Sequence, residues 1–211
     1  MECRGTIARV DPSTGRLDVV TGHQSPHDLR IRLAHALGLD ADQVRVRCPD
    51  MGGSFGQKSG LSREDVVVAA AARQLRRPVV WVEERSENLA SAGHARGEQI
   101  DVEAGFDTDG HVLGVRLHLM IDLGAYPQIG YPANGYANLV RSLFPAAYRL
   151  RHYGFTADLV ATNTATHLPY RGPWQVETFV RERLLDVAAR RLGLDRFEIR
   201  RRNLLSPEEL T

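Results

Sequence analysis

Cysteine is almost missing from this chain of 211 residues: only Cys3 and Cys48 occur, far apart. They cannot form a CxxC pair or hold an iron–sulfur cluster, and their scarcity suits a reducing compartment, so the cytoplasm is the expected location. Long apolar runs are missing too. Nothing approaches the roughly eighteen residues of a membrane span. The opening MECRGTIARVD carries an acid and no apolar h-region, so neither a membrane helix nor a signal peptide is expected. No charge of one sign dominates: 27 Lys plus Arg stand against 26 Asp plus Glu, which leaves no field for nucleic acid or an anionic membrane.

What is present is an ordinary soluble composition, 43% hydrophobic and 25% charged, in a length that makes one large domain or two small ones. GTIARV and RLDVV alternate around DPSTG and read as a β-hairpin. Ser25 is placed to N-cap a helix with Pro26 at its first position, and Leu29, Leu33 and Leu37 follow at i, i+4, i+8. VRVRC reads as a short strand, Ser62 with Asp65 as a capping-box start, Val66 to Leu75 as a buried helix, and PVVWVEE as a buried strand. QIDVEAGFD and HVLGVRLHLMID form a long hairpin about TDG. Residues 123–147 are rich in Gly, Pro, Tyr and Asn without sustained period, and such a stretch inside a domain is more often functional than idle. YGFTADLVATN is a strand. A helix runs from Gln175 to Arg191 with Val176, Val180, Leu184 and Ala188 spaced by four, Gly193 closes it, and Asp195 with Glu198 opens a last short helix. The fold class is α+β, mixed sheets with long β-hairpins packed against helices. Both ends look cut, so a longer polypeptide is expected.

MGGSFGQKS, residues 51–59, sits between strand and helix, where nucleotide-binding proteins carry a phosphate loop. The pattern G-x-x-x-x-G-K-[ST] requires glycine where Gln57 stands, and G-x-G-x-x-G is absent. A plain turn uses fewer glycines. A nest of backbone N–H groups around an anionic ligand is the other option, and from the loop alone the turn and the nest rank level. THLPYRGPW, residues 166–174, adds a guanidinium, N–H donors and aromatic walls at a helix entry; Arg171 solvated on a turn is the plain alternative, and the signal is weak alone but stronger paired with the glycine loop. His23 and His27 in TGHQSPH lack a third ligand and read as capping and surface chemistry rather than a metal site. Gln24 is a neutral donor should it face a pocket. The RRRN run at 200–203 reads as a solvated helix face.

Together and in this order, TGHQSPH, ALGLDADQVRVRCPDMGGSFGQK, RRPVVWVEERSENL and PYRGPWQVETFVRERLLDVAARRLGLDRFEIRRRNLL resemble the molybdopterin-binding large subunit of the xanthine dehydrogenase / aldehyde oxidase family. The nearer likeness is to its carbon-monoxide-dehydrogenase-like bacterial branch. The resemblance covers nearly the whole chain. It implies the first of two molybdenum-cofactor-binding domains at residues 23–211, with two subdomains split near 84–95 and residues 1–22 as strands left from a preceding domain.

The resemblance implies that Gln24 approaches an oxygen ligand of molybdenum. It implies that Gly53, Ser54, Phe55 and Gly56 contact the cofactor through backbone N–H groups, Phe55 and Gly56 nearest the metal. Tyr170, Arg171 and Gly172 match a second loop gripping the pterin, and Arg141 in NLVRSLF matches the substrate-orienting arginine of purine-oxidising members. Gln24, Phe55 and Arg141 are thus the implied catalytic residues. The implied cofactor is molybdenum–molybdopterin in the cytosine dinucleotide form, with the pterin rather than a side chain holding the metal. The implied partners are an iron–sulfur small subunit with [2Fe-2S] clusters, an FAD medium subunit and the second cofactor domain, which carries the general base. The implied reaction is oxidative hydroxylation of an aldehyde, N-heterocycle or similar small molecule, and the chain by itself is expected to have no turnover. Two departures bear on substrate. Ser59 stands where purine-oxidising members have glutamate, and Pro173 and Trp174 replace their Phe–Gly. Against this stand a nucleotide-binding module using MGGSFGQKS on phosphate, and a non-catalytic accessory protein keeping half of the fold.

Overall fold

The computed structural model describes residues 2–126, 134–172 and 175–209. These form two compact units. The first takes the chain up to Ala95, returns at Gly124, and returns again for Thr162–Arg171; the second takes Arg96–Leu123, the stretch ending at Ala161, and the residues from Gly172. The architecture is α+β in both.

In the first unit the DPSTG hairpin is Gly5–Val10 (β1) against Leu17–Thr21 (β2), antiparallel, with Asp11 accepting from Ser13 and Thr14 inside the turn. Helix Pro26–Ala36 (α1) returns the chain to Val44–Arg47 (β3), which lies parallel to β2. Helix Arg63–Leu75 (α2) crosses over to Val79–Val82 (β4) on the far edge, giving the order β3-β2-β1-β4. One helix, Arg85–Ser91 (α3), follows. Alternation puts Ala8, Leu17, Val19 and Val44 on one sheet face, where they bury against Leu29 and Leu33 of α1 and Val68, Ala69 and Ala72 of α2. Ser62 and Asp65 form the expected capping box, and Asp65 is also buried under the Thr6 hydroxyl, so the start of α2 is tied to β1. Glu83, just beyond β4, is buried and accepts from the Arg4 backbone and guanidinium and from Asn88.

β4 is not the buried strand expected from PVVWV. It is an edge strand covered on one face only, leaving Val80 and Val82 61% and 70% exposed. An unbroken apolar run does not say how many faces are covered.

The second unit is built on Glu98–Phe106 (β5) and Val112–Asp122 (β6), a long antiparallel hairpin with a register shift at Gly105/Phe106. Tyr153–Val160 (β7) adds parallel to β6 after helix Gly135–Leu143 (α4). Helices Gln175–Leu192 (α5) and Arg196–Asn203 (α6) complete it. Leu117, Leu119 and Ile121 of β6 bury against Tyr136, Val140 and Phe144, with Val180 and Leu184 of α5 packed beside them. α4 lies within 123–147, where no period was read. Its buried face is only Tyr136, Ala137 and Val140, too few positions to register as a repeat. Arg181 closes that helix by donating to the carbonyl of Phe144 at 3.0 Å. Gly193 at φ +68° ends α5, and Asp195 accepts from Phe197 and Glu198 N–H as the expected cap. Glu198 instead pairs with Arg201 and Arg202. Among the described residues no helix is long and apolar enough to cross a membrane.

Asn203 corrects the reading of RRRN as wholly solvated. It is 2% exposed; its amide donates to Gly110 and Ile199 carbonyls, both at 2.8 Å, and its oxygen accepts from Val112 N–H at 2.8 Å. One side chain thereby holds the turn of the long hairpin to α6. Replacing Asn203 by Ala strands a buried N–H and carbonyl and is expected to cost about 2–3 kcal/mol, read as a lower urea midpoint at unchanged m-value. A midpoint within error of the parent would show that the three bonds contribute nothing net.

Candidate functional site

The glycine loop leaves the sheet after β3 and ends where Ser62 caps α2, so both of its ends are held by regular structure. Inside it the backbone enters the left-handed region three times, at Gly53 (φ +102°), Phe55 (φ +55°) and Gly56 (φ +91°). Arg171, in the loop before α5, lies there as well, at φ +41°. Phe55 and Arg171 are joined directly: Arg171 N–H donates to the Phe55 carbonyl at 2.7 Å. Gln57 Nε2 donates to the Pro169 carbonyl at 3.2 Å, and a Cβ on Gly56 would stand 2.5 Å from that same oxygen. Glycine at 56 is therefore required twice, by φ and by the close approach of Pro169. Ser59 Oγ donates to the Gly56 carbonyl at 2.7 Å and fixes the loop from the other side. The 166–171 segment is held at its start too, by His94 N–H to Thr166 carbonyl (3.0 Å) and Leu168 N–H to His94 carbonyl (2.9 Å).

The clasp leaves donors unspent. Among the described residues, the N–H groups of Gly53, Ser54, Phe55 and Gly56 have no hydrogen-bond acceptor. The Phe55 ring, 41% exposed, lies over Gly53. Successive N–H groups in such a turned backbone form a concavity for negative charge, the donor set that an anionic or oxo-bearing ligand requires.

Gln24 adjoins this loop. Its N–H donates to the Lys58 carbonyl at 3.0 Å, and its side-chain oxygen accepts from Ser54 Oγ at 2.5 Å. Lys58 is buried and is the chain's only lysine; its ammonium is ion-paired with Glu2 beside Gly22. The Lys58 ammonium holds the Glu2 carboxyl below its usual range, with the Gly52 N–H helping. His23 was read as capping and surface chemistry, yet the ring is 4% exposed. Ser25 N–H donates to its Nδ1 at 2.9 Å, and Nε2 faces the Gly60 carbonyl at 3.3 Å, which makes Nε2 the protonated nitrogen. Ser25 occupies the N-cap of α1 as expected, but its own side chain makes no cap bond; the imidazole instead accepts from the Ser25 N–H and so fixes the residue that opens the helix. Burial pushes the His23 pKa below the ordinary histidine value, against the opposing pull of the Gly60 carbonyl and of Asp65.

The structure thus brings together Gln24, Gly53, Ser54, Phe55, Gly56 and Arg171, all within the first unit. Tyr170 is next to Arg171 and 43% exposed. Gly172, at φ +73°, is counted with the second unit, as is Arg141, which is exposed on α4. Pro173 and Trp174 lie outside the described residues. Sequence reasoning missed the latch role of Gln57, the Pro169 carbonyl and the buried state of His23 and Lys58. Only Lys58 carried a signal, as a lone lysine among many arginines.

A family model described as the molybdopterin cofactor-binding domain matches residues 1–204. The gamma subunit of the 6-hydroxypseudooxynicotine dehydrogenase complex of Paenarthrobacter nicotinovorans is 36% identical over 100% of this chain and 26% of its own length. The carbon monoxide dehydrogenase large chain of Hydrogenophaga pseudoflava is 32% identical over 99% of this chain and 26% of its own. The crystal structure of quinoline 2-oxidoreductase from Pseudomonas putida 86 superposes with a TM-score of 0.93 at 35% identity, over 99% of this chain and 27% of that one. The chain spans about a quarter of the length of the relatives it matches.

Two outcomes test this geometry. Gly56→Ala is expected to break the clasp, costing about 1–3 kcal/mol and removing hydrogen-exchange protection at the Arg171 amide, whereas Gly15→Ala, at φ +69° in open space, leaves that amide protected. Equal protection in both variants would mean that the loops are not joined. For His23, the folded-state pKa is depressed. Its stabilising contribution is therefore complete above about pH 6.5 and is lost as pH falls through the lower folded value. Urea unfolding of the parent should weaken over that acid range more than unfolding of His23→Gln, and parallel pH profiles would refute the buried neutral imidazole.

Proposed function

The chain belongs to the molybdopterin cofactor-binding domain family, and we propose that its glycine loop and the 166–172 loop hold the molybdenum–molybdopterin cofactor of a molybdenum hydroxylase, an oxidoreductase catalytic subunit. The observation that carries this reading is the set of unspent N–H groups at 53–56, held open by the clasp to Arg171. When bound, the cofactor supplies the two-electron redox chemistry of the hydroxylation. The chain's own residues supply fixed dipoles: N–H donors from Gly53, Ser54, Phe55 and Gly56, and the side-chain amide of Gln24. Dipoles set before reaction stabilise charge as it develops without reorganising.

Tyr170, Arg171 and Gly172 are assigned to the pterin side, and Arg141 to orienting substrate; for Arg141 the support is the family resemblance alone. The substrate is a small molecule, an N-heterocycle or aldehyde. Quinoline in the name of a structural neighbour supports the N-heterocycle, and Ser59, committed to the Gly56 carbonyl, argues against a purine. The cytosine dinucleotide form, and FAD and [2Fe-2S] clusters on separate partner subunits, complete the proposal together with a second cofactor domain. The words "complex subunit" and "large chain" in the relatives' names support multi-subunit assembly. A subdomain division near 84–95, inside a cofactor domain at 23–211, draws support from the unit boundary after Ala95. The phosphate-loop alternative is disfavoured because the one lysine is ion-paired with Glu2 rather than open to a phosphate.

Elemental analysis of the full complex is expected to find molybdenum, and the Gly56→Ala complex should retain several-fold less. A molybdenum-free parent complex removes this reading. Saturable ATP binding that disappears in Lys58→Ala would put the nucleotide module in its place.

A further inference from the structure

Three residues at the glycine loop form a closed hydrogen-bond cycle, Ser54 and Gln24 through their side chains and Lys58 through its backbone. Lys58 N–H donates to Ser54 Oγ at 3.2 Å, Ser54 Oγ donates to Gln24 Oε1 at 2.5 Å, and Gln24 N–H donates to the Lys58 carbonyl at 3.0 Å. A serine hydroxyl has one proton to give. Among the described residues, the Gln24 oxygen is the acceptor for that proton, while the incoming Lys58 N–H occupies one of the hydroxyl's two lone pairs. An unassisted glutamine amide can turn end for end, exchanging its acceptor oxygen for its donor nitrogen at similar energy. Here one end is taken by a hydroxyl that is itself fixed to the backbone, so the NH2 end is the one turned outward.

We propose that Ser54 is a positioning residue for Gln24: its hydroxyl locks the glutamine amide so that the NH2 group, and not the oxygen, faces the cofactor's oxygen-bearing side. This rests on the cofactor reading above. It separates two tasks within the loop. The backbone N–H groups of 53–56 hold the ligand, while the Ser54 side chain orients a neighbouring residue and holds nothing itself.

The test uses the full complex and its molybdenum. Ser54→Ala leaves the backbone donors in place, so molybdenum content is expected to stay at the parent level. The amide is then free to turn, and kcat is expected to fall about tenfold, the worth of roughly one hydrogen bond, with KM unchanged. The Mo(V) electron paramagnetic resonance signal should shift along with it. Ser54→Thr, which keeps a hydroxyl, should restore most of both. The decisive comparison is with Gln24→Ala. If Ser54 acts through Gln24, adding Ser54→Ala to Gln24→Ala changes neither kcat nor the resonance signal further. Additive losses, a Ser54→Ala complex indistinguishable from the parent, or one that loses its molybdenum would each overturn the positioning role while leaving the cofactor reading in place. A parent complex without molybdenum would instead remove the cofactor reading and this role with it.

Discussion

One backbone hydrogen bond, from Arg171 N–H to the Phe55 carbonyl at 2.7 Å, sets the geometry of the candidate site. It joins two residues that are both held at positive φ without being glycine. Each such residue costs on the order of 1 kcal/mol, so the arrangement persists only because its surroundings over-determine it. Gly53 and Gly56 take up the neighbouring positive angles, Gln57 reaches the Pro169 carbonyl, and Ser59 pins the Gly56 carbonyl. With the Phe55 and Pro169 carbonyls taken up between the two loops, the N–H groups at 53–56 have no acceptor among the described residues.

The side chains beneath the loop are arranged to keep charge out of that row. Lys58, where a phosphate loop would place its cation, is buried against Glu2. His23 is held neutral by its own burial and by a backbone N–H at Nδ1. Apart from the exposed Arg171 guanidinium of the facing loop, what the glycine loop offers is dipolar: peptide N–H groups and the Gln24 amide. A row of fixed dipoles of that kind suits a ligand that brings its own metal and oxygen ligands.

Much of the scaffold was legible along the chain. The DPSTG and TDG hairpins, the Ser62–Asp65 capping box, the α5 repeat and the Asp195 cap each rest on contacts between residues a few positions apart, and each stands in the structure where its letters suggest. The failures share a cause. β4 reads as buried because apolar letters do not reveal that the sheet ends there; α4 is hidden because its apolar face is short; Asn203 looks solvated among arginines because its partners at Gly110 and Val112 are some ninety positions away.

The same division holds at the site. Residue chemistry and motif order by themselves determined the α+β class, the glycine loop between strand and helix, and the family. Gln57 shows what they left undecided. By sequence it is the letter that spoils a phosphate loop. In the fold it is the latch that reaches across to Pro169. Which donors are consumed and which are left for a ligand depends on pairings such as Phe55 with Arg171 and Gln24 with Ser54, between segments far apart in the chain. Hydrogen-bond satisfaction is a property of the assembled surroundings, so only the tertiary structure could decide it.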